Sequence, residues 1–208
     1  MFTIHIPIAF ASLLAPLLGI APVNLFLLPL HVVLLELVID PTCSIVLERQ
    51  PAEQNVLERP PRNRNEKLLT AKVLLKSTFQ GIIIFLASFG TYYTVLTQNP
   101  ENAPTARAMG LSIILLANLL LVQINSSNTD LAIKSFFYLI KDKIMWIVSL
   151  TTIAGLLMIL YTPMHSFLKL APLTLNQFLT VVGIAVISVI WYEAVKIFDF
   201  ILKRSRYQ

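Results

Sequence analysis

The sequence predicts an all-α fold, a polytopic membrane helix bundle of six transmembrane helices with the second unwound near Asp40-Pro41. Three observations carry this. Of the 208 residues, 56% are hydrophobic and 13% charged, and the mean hydropathy is +0.75, more apolar surface than a water-soluble domain can hide. Apolar runs long enough to cross a bilayer recur along the whole chain. Charged and turn-forming residues are gathered into the connections between those runs.

The runs place spans at about 2–20, 25–47, 71–97, 107–125, 144–162 and 174–198, within a single transmembrane domain over 1–208. The first is only marginally long for about 30 Å of hydrocarbon at about 1.5 Å per residue. It also lacks the basic lead-in of a signal peptide, so it reads as a span entered part-way. Breaker-rich stretches separate the rest: "IAPVN", "ERQPAEQNVLERPPRNRNEK", "TQNPENAPT", "NSSNTD" and "YTPMH". No internal repeat is visible, which gives an inverted-repeat transporter no support.

Charge sets the orientation. Residues 48–76 hold seven Lys/Arg, 126–143 three and 196–208 four, against Arg107 and Lys169 alone in the two other connections. The positive-inside rule then puts both termini and the 48–70 loop in the cytoplasm. Because the basic residues lie between apolar runs, the net charge of +5 reads as a topology signal, with no nucleic-acid partner. Tyr92, Tyr93, Tyr161, Trp146 and Trp191 fall toward span ends, as interfacial anchors do. The lone cysteine, Cys43, excludes an internal disulfide framework and makes a poor soft-metal site, against a copper or zinc exporter.

The second span holds the chemistry. Its stretch "HVVLLELVIDPTCSIVLERQ" carries Glu36 and Asp40 with no Lys or Arg until Arg49. A carboxylate at the bilayer centre costs about 2.5–3.5 kcal/mol on insertion scales. At i and i+4 the two share a helical face and repel each other, so a cation between them relieves both burdens. Pro41 has no N–H to give the Leu37 carbonyl and clashes with it, so the helix is expected to loosen there and free carbonyl oxygens. Two carboxylates and loosened carbonyls make an all-oxygen site for a hard cation such as Ca²⁺, Mg²⁺, Na⁺ or K⁺. The competing reading is that Glu36 and Asp40 are structural polar contacts within the bundle. Glu193 and Lys196 read as an interfacial ion pair, Gln123 and Asn125 as interfacial residues, and His31 and His165 carry no assigned function.

The stretch "LLELVIDPTCSIVLERQPAEQNVLERPPR" resembles the sixth transmembrane span and following cytoplasmic loop of P2-class P-type cation ATPases, the calcium-pump relatives. Arg59, Pro60, Pro61 and Arg62 match that family's Arg-Pro-Pro-Arg loop. The resemblance covers the whole chain, whose six spans correspond to family spans five to ten, in a variant most similar to a bacterial subgroup. It implies that Asp40 and Glu36 bind the transported cation, that Asn118 stands at the carboxylate position of the eighth span, and that His5 falls near a liganding position of the fifth. For Asn118 and His5 an interhelical contact is the alternative role, and for His5 also proton exchange. Ile39 and Ile8 stand where the family offers a liganding Thr and Glu, which speaks against a two-calcium stoichiometry.

The same resemblance implies what else the activity needs. No Asp-Lys-Thr-Gly phosphorylation motif and no Thr-Gly-Glu actuator motif occurs in the 208 residues, and the 48–70 loop is too short for a nucleotide domain. Hydrolysis of ATP with Mg²⁺ is therefore expected only through phosphorylation, nucleotide and actuator domains and spans one to four supplied elsewhere, as for a C-terminal fragment or split gene. The chain alone is not expected to hydrolyse ATP. The expected setting is the bilayer of a bacterial inner (plasma) membrane. The alternatives are a passive cation channel or secondary transporter using the same carboxylates, or a truncated, structural membrane partner.

Overall fold

Each long helix begins where a cap or a breaker meets an apolar run. The computed structural model describes residues 2–48, 70–124 and 143–205, with the backbone alone described for Leu47, Lys72, Gln123 and 193–205. The helices are α1 (Phe2–Leu17), α2 (Pro29–Glu48), α3 (Ala71–Gln98), α4 (Ala103–Ile124), α5 (Lys143–Tyr161), a four-residue α6 (Met164–Phe167) and α7 (Leu175–Ser205), with 3₁₀ turns at Pro22–Asn24 and Pro100–Asn102. The Thr70 hydroxyl caps α3 by accepting from the Val73 N–H at 3.4 Å. Thr174 and Gln177 form a reciprocal capping box on α7: the Thr174 N–H donates to Gln177 Oε1 at 2.9 Å, and the Gln177 N–H to Thr174 Oγ1 at 3.4 Å. α1 stops at Gly19, whose φ of 70° lets the Ile20 N–H reach back to the Ala15 carbonyl at 3.2 Å.

The six expected spans correspond to six long helices among the described residues. Five stretches are long and apolar enough to cross a membrane. At 16 residues, about 24 Å, α1 falls short of a full bilayer core. The Arg-Pro-Pro-Arg loop, the 126–142 connection, the side chains of Gln123, Glu193 and Lys196, and Asn125 lie outside the described residues.

The expected unwinding at Asp40-Pro41 is corrected: α2 is continuous α-helix from Pro29 to Glu48 with Pro41 inside it. A proline removes one intrahelical bond, and a helix gripped on either side of it can absorb that loss. Here Leu35, Ile39, Cys43 and Val46 are all buried on both sides of the proline. The Thr42 hydroxyl adds a bond to the Val38 carbonyl at 2.6 Å in the same turn.

α4 is the centre of the bundle and packs against α1, α2, α3, α5 and α7. In its apolar stretch 83% of residues are buried, against 22–33% in the other candidate spans. Small residues make this possible, because Ala106, Ala108, Gly110, Ser112 and Ala117 let neighbouring backbones come close. A Cβ on Gly110 would sit 2.4 Å from the Phe26 ring and 3.1 Å from the Ser88 carbonyl. Phe26 in turn stacks on Tyr92 at 4.8 Å and meets Phe89 edge-on at 6.1 Å. Tyr92, expected as an interfacial anchor, is fully buried here, its hydroxyl bonded to the Asn24 carbonyl. Tyr93, Trp146 and Tyr161 do face outward.

Polar side chains tie the loops together at one end of the bundle. Arg107, near the start of α4, is 3% exposed. Its Nε donates to the Leu25 carbonyl at 2.7 Å, Nη1 to the Lys169 carbonyl at 3.3 Å and Nη2 to the Val23 carbonyl. His31, also fully buried, accepts the Leu28 N–H on Nδ1 at 3.2 Å. Its Nε2 therefore carries the proton and donates to the Leu168 carbonyl at 2.6 Å. One arginine and one neutral histidine thus bond carbonyls from two separate loops.

Two outcomes test this packing. A Cβ at position 81 would lie 2.6 Å from the Thr3 carbonyl oxygen and 2.7 Å from Ile6 Cβ, whereas Gly90 has open space. Gly81→Ala is therefore expected to cost about 1–3 kcal/mol in denaturation of the detergent-solubilised chain, and Gly90→Ala to be neutral or stabilising by up to about 1 kcal/mol. Arg107→Leu orphans three carbonyls and is expected to cost more than about 2 kcal/mol. It should also speed amide exchange at 25–28 and 168–170, with Arg107→Lys a partial rescue because an ammonium lacks the planar fork.

Candidate cation site

α1 presents His5 because its other face is taken. Ile4, Ile8, Ala11 and Ala15 form its buried stripe, and α1 packs closely on α3, where Gly81 admits the Thr3 backbone. His5 is left outside that stripe, with its side chain 46% exposed. On α2 the buried stripe is Leu35, Ile39, Cys43 and Val46. Glu36 and Asp40 each follow a stripe residue, so they are turned about 100° away from it along a common edge.

That edge faces α1. The Nε2 of His5 lies 3.2 Å from Oε2 of Glu36, and one ligand-capable atom from each of His5, Glu36 and Asp40 lies within 4.8 Å of the others. Two donors held about 2.1 Å from one ion at 90–110° to each other sit about 3.0–3.4 Å apart, so the His5–Glu36 spacing fits neighbouring positions on a single metal. The charges also fit a divalent ion, since two carboxylates balance it and a neutral imidazole adds a donor without charge. The same spacing also suits a direct hydrogen bond from the His5 Nε2–H to the Glu36 carboxylate.

Asn118 lies on α4, a helix against which α2 packs. It is buried, with its Oδ1 3.8 Å from the Cys43 Sγ, one helical turn beyond Asp40. Ile8 and Ile39 are 6% and 1% exposed, and both belong to the core. A cavity of about 400 Å³ lies beside α2, lined by Leu37, Pro41, Thr42, Leu115, Thr151 and Gly155 among others. It is mostly apolar, and none of the three clustered residues lines it.

Arg107 and His31 are the polar residues that sequence reasoning missed. Both hold loop carbonyls at the end of the bundle where α2 begins.

The matches with known proteins follow the same outline. Residues 24–198 match the family described as "Cation transporting ATPase, C-terminus". The chain is also 26% identical over 164 residues to a calcium-transporting ATPase of Bacillus subtilis (strain 168), an alignment covering 77% of this chain and 18% of the relative. His5 precedes the family match, whereas Glu36, Asp40 and Asn118 lie within it. With most of its length matched and its apolar helices in place, the chain belongs to the family of C-terminal membrane regions of cation-transporting P-type ATPases.

Proposed function

We propose that this chain is the ion-binding part of an ATP-driven pump and holds a divalent cation between α1 and α2 on His5, Glu36 and Asp40. The observation that carries the reading is the convergence of three ligand-capable side chains from two helices, within 4.8 Å of one another. Ionisable residues at membrane depth are costly, and where they cluster they mark ion paths. The name of the Bacillus relative supports Ca²⁺ as one candidate, and the balance of two carboxylates favours a divalent ion over Na⁺ or K⁺.

In this reading the carboxylates take the cation from the side where the termini lie, which the Lys/Arg distribution supports as the cytoplasm of a bacterial cell. The energy comes from phosphorylation, nucleotide and actuator domains outside these 208 residues. α1 reaches α2 through the His5–Glu36 contact while its main packing is on α3. A relative shift of α1 and α2 therefore separates His5 from the carboxylates and lowers affinity without unfolding either helix. α4 stays fixed, held by Arg107 and buried on all sides.

Cation binding to the purified chain in detergent tests the site. Saturable divalent binding is expected, weakened at least about tenfold by Glu36→Gln and by Asp40→Asn. Unaltered affinity in both variants, or no saturable binding, overturns the reading. Asn118→Ala separates the two kinds of polar residue: it is expected to lower stability by about 1–2 kcal/mol while leaving cation affinity within about twofold.

A further inference from the structure

At the end of the bundle away from Arg107, the start of α3 lies beside the later part of α7. The only charged residues of α3, Lys72 and Lys76, fall in its first two turns. α7 carries no charge from Leu175 to Tyr192, and Glu193 is its first. Both helices therefore pass from apolar to charged sequence here, as at a bilayer boundary. We infer that the patch they share, Lys76, Phe79, Trp191 and Tyr192, binds the headgroup of an anionic glycerophospholipid. Lys76 takes the phosphate, and the aromatic side chains flank the glycerol region.

The patch is built across two helices. Lys76 Nζ lies 4.3 Å from the centroid of the Tyr192 ring, which holds the ammonium against α7. Phe79, three residues on and therefore on the same face of α3, meets Trp191 edge-on at 5.5 Å. Trp191 meets Tyr192 edge-on at 5.9 Å. The Trp191 Nε1–H donates to the Ser188 carbonyl at 3.0 Å, which fixes the indole on α7. Lys76, Trp191 and Tyr192 are half-buried, whereas Phe79, Val73 and Leu75 are exposed. Those three give acyl chains an apolar surface beside the ammonium.

Charge decides the occupant. A ring face orients an ammonium without cancelling its charge. Past Tyr192 the α7 backbone continues to Ser205, and its sequence adds Lys196, Lys203 and Arg204 against Glu193 and Asp199. With Lys72 and Lys76, basic residues outnumber acidic ones five to two at this end of the two helices. A zwitterionic headgroup brings a cation of its own into such a field, whereas an anionic one brings only the phosphate.

The test uses the full 208-residue chain carrying Trp146→Phe, which leaves Trp191 as its single tryptophan. In phosphatidylcholine vesicles, quenching of Trp191 by dibrominated phosphatidylglycerol is compared with quenching by dibrominated phosphatidylcholine. The anionic lipid is expected to be preferred about fivefold, the scale of one basic residue near an anionic surface. Lys76→Gln should bring the two lipids to parity, and Lys76→Arg should keep the preference. Lys143→Gln removes the same charge from the start of α5 and should leave the preference unchanged. With Lys76 in place, raising the salt to about 1 M should erase it. Quenching by the brominated phosphatidylcholine verifies insertion of every variant.

Equal quenching by the two lipids overturns the inference, and so does a preference that survives Lys76→Gln or high salt. A preference that falls equally with Lys143→Gln also overturns it, because the lipid then follows the net charge of the chain and not this patch.

Discussion

Burial of α4 on all sides is the constraint on which the rest of the structure depends. In a bilayer the hydrophobic effect does not draw apolar helices together, so close approach and polar anchoring must do so. α4 meets the first need with its small residues, Gly110 lying under the Phe26 ring. It meets the second with Arg107, which gathers carbonyls of Val23, Leu25 and Lys169. Because α2 and α3 are both laid against this helix, the edge carrying Glu36 and Asp40 inherits its position from a residue far from any carboxylate.

A division of labour follows. The end of the bundle holding Arg107, His31 and the Tyr92–Asn24 bond is knitted by side chains onto loop carbonyls. Toward the other end of α2, Glu36 and Asp40 lie on its outward edge, reached by His5 across the space between helices. In the proposed reading, such an arrangement gives a fixed frame and a site whose ligands come from two helices that can shift against one another. Pro41 belongs to the frame. Its missing bond is absorbed within a continuous helix, and the mostly apolar cavity beside it is lined by α2, α4 and α5 residues with none from the carboxylate cluster.

How much of this was legible in the sequence depends on the range of the interaction. Helix positions were legible because they are local: "TLNQ" caps α7, Gly19 closes α1, and apolar runs bounded by Pro and Asn set the other limits. That Glu36 and Asp40 share one edge of α2 was legible because residues four apart lie on one helical face. The role of His5 rested on resemblance alone, since its approach to Glu36 depends on how closely α1 lies on α3 at Gly81. Continuity through Pro41 was misread because a local penalty was weighed without the packing of Leu35, Ile39 and Cys43 that offsets it. Arg107 and His31 were invisible for the same reason, since their partners are loop carbonyls as far as 137 positions away in sequence.

The central claim is that His5, Glu36 and Asp40 hold one divalent cation between α1 and α2. An anomalous-difference map from crystals of the chain grown with Mn²⁺ tests it most directly. The account predicts a single strong peak about 2.1–2.2 Å from His5 Nε2 and from oxygens of both carboxylates. A peak at Asn118 or in the cavity beside Pro41, with none between His5 and Glu36, would contradict it.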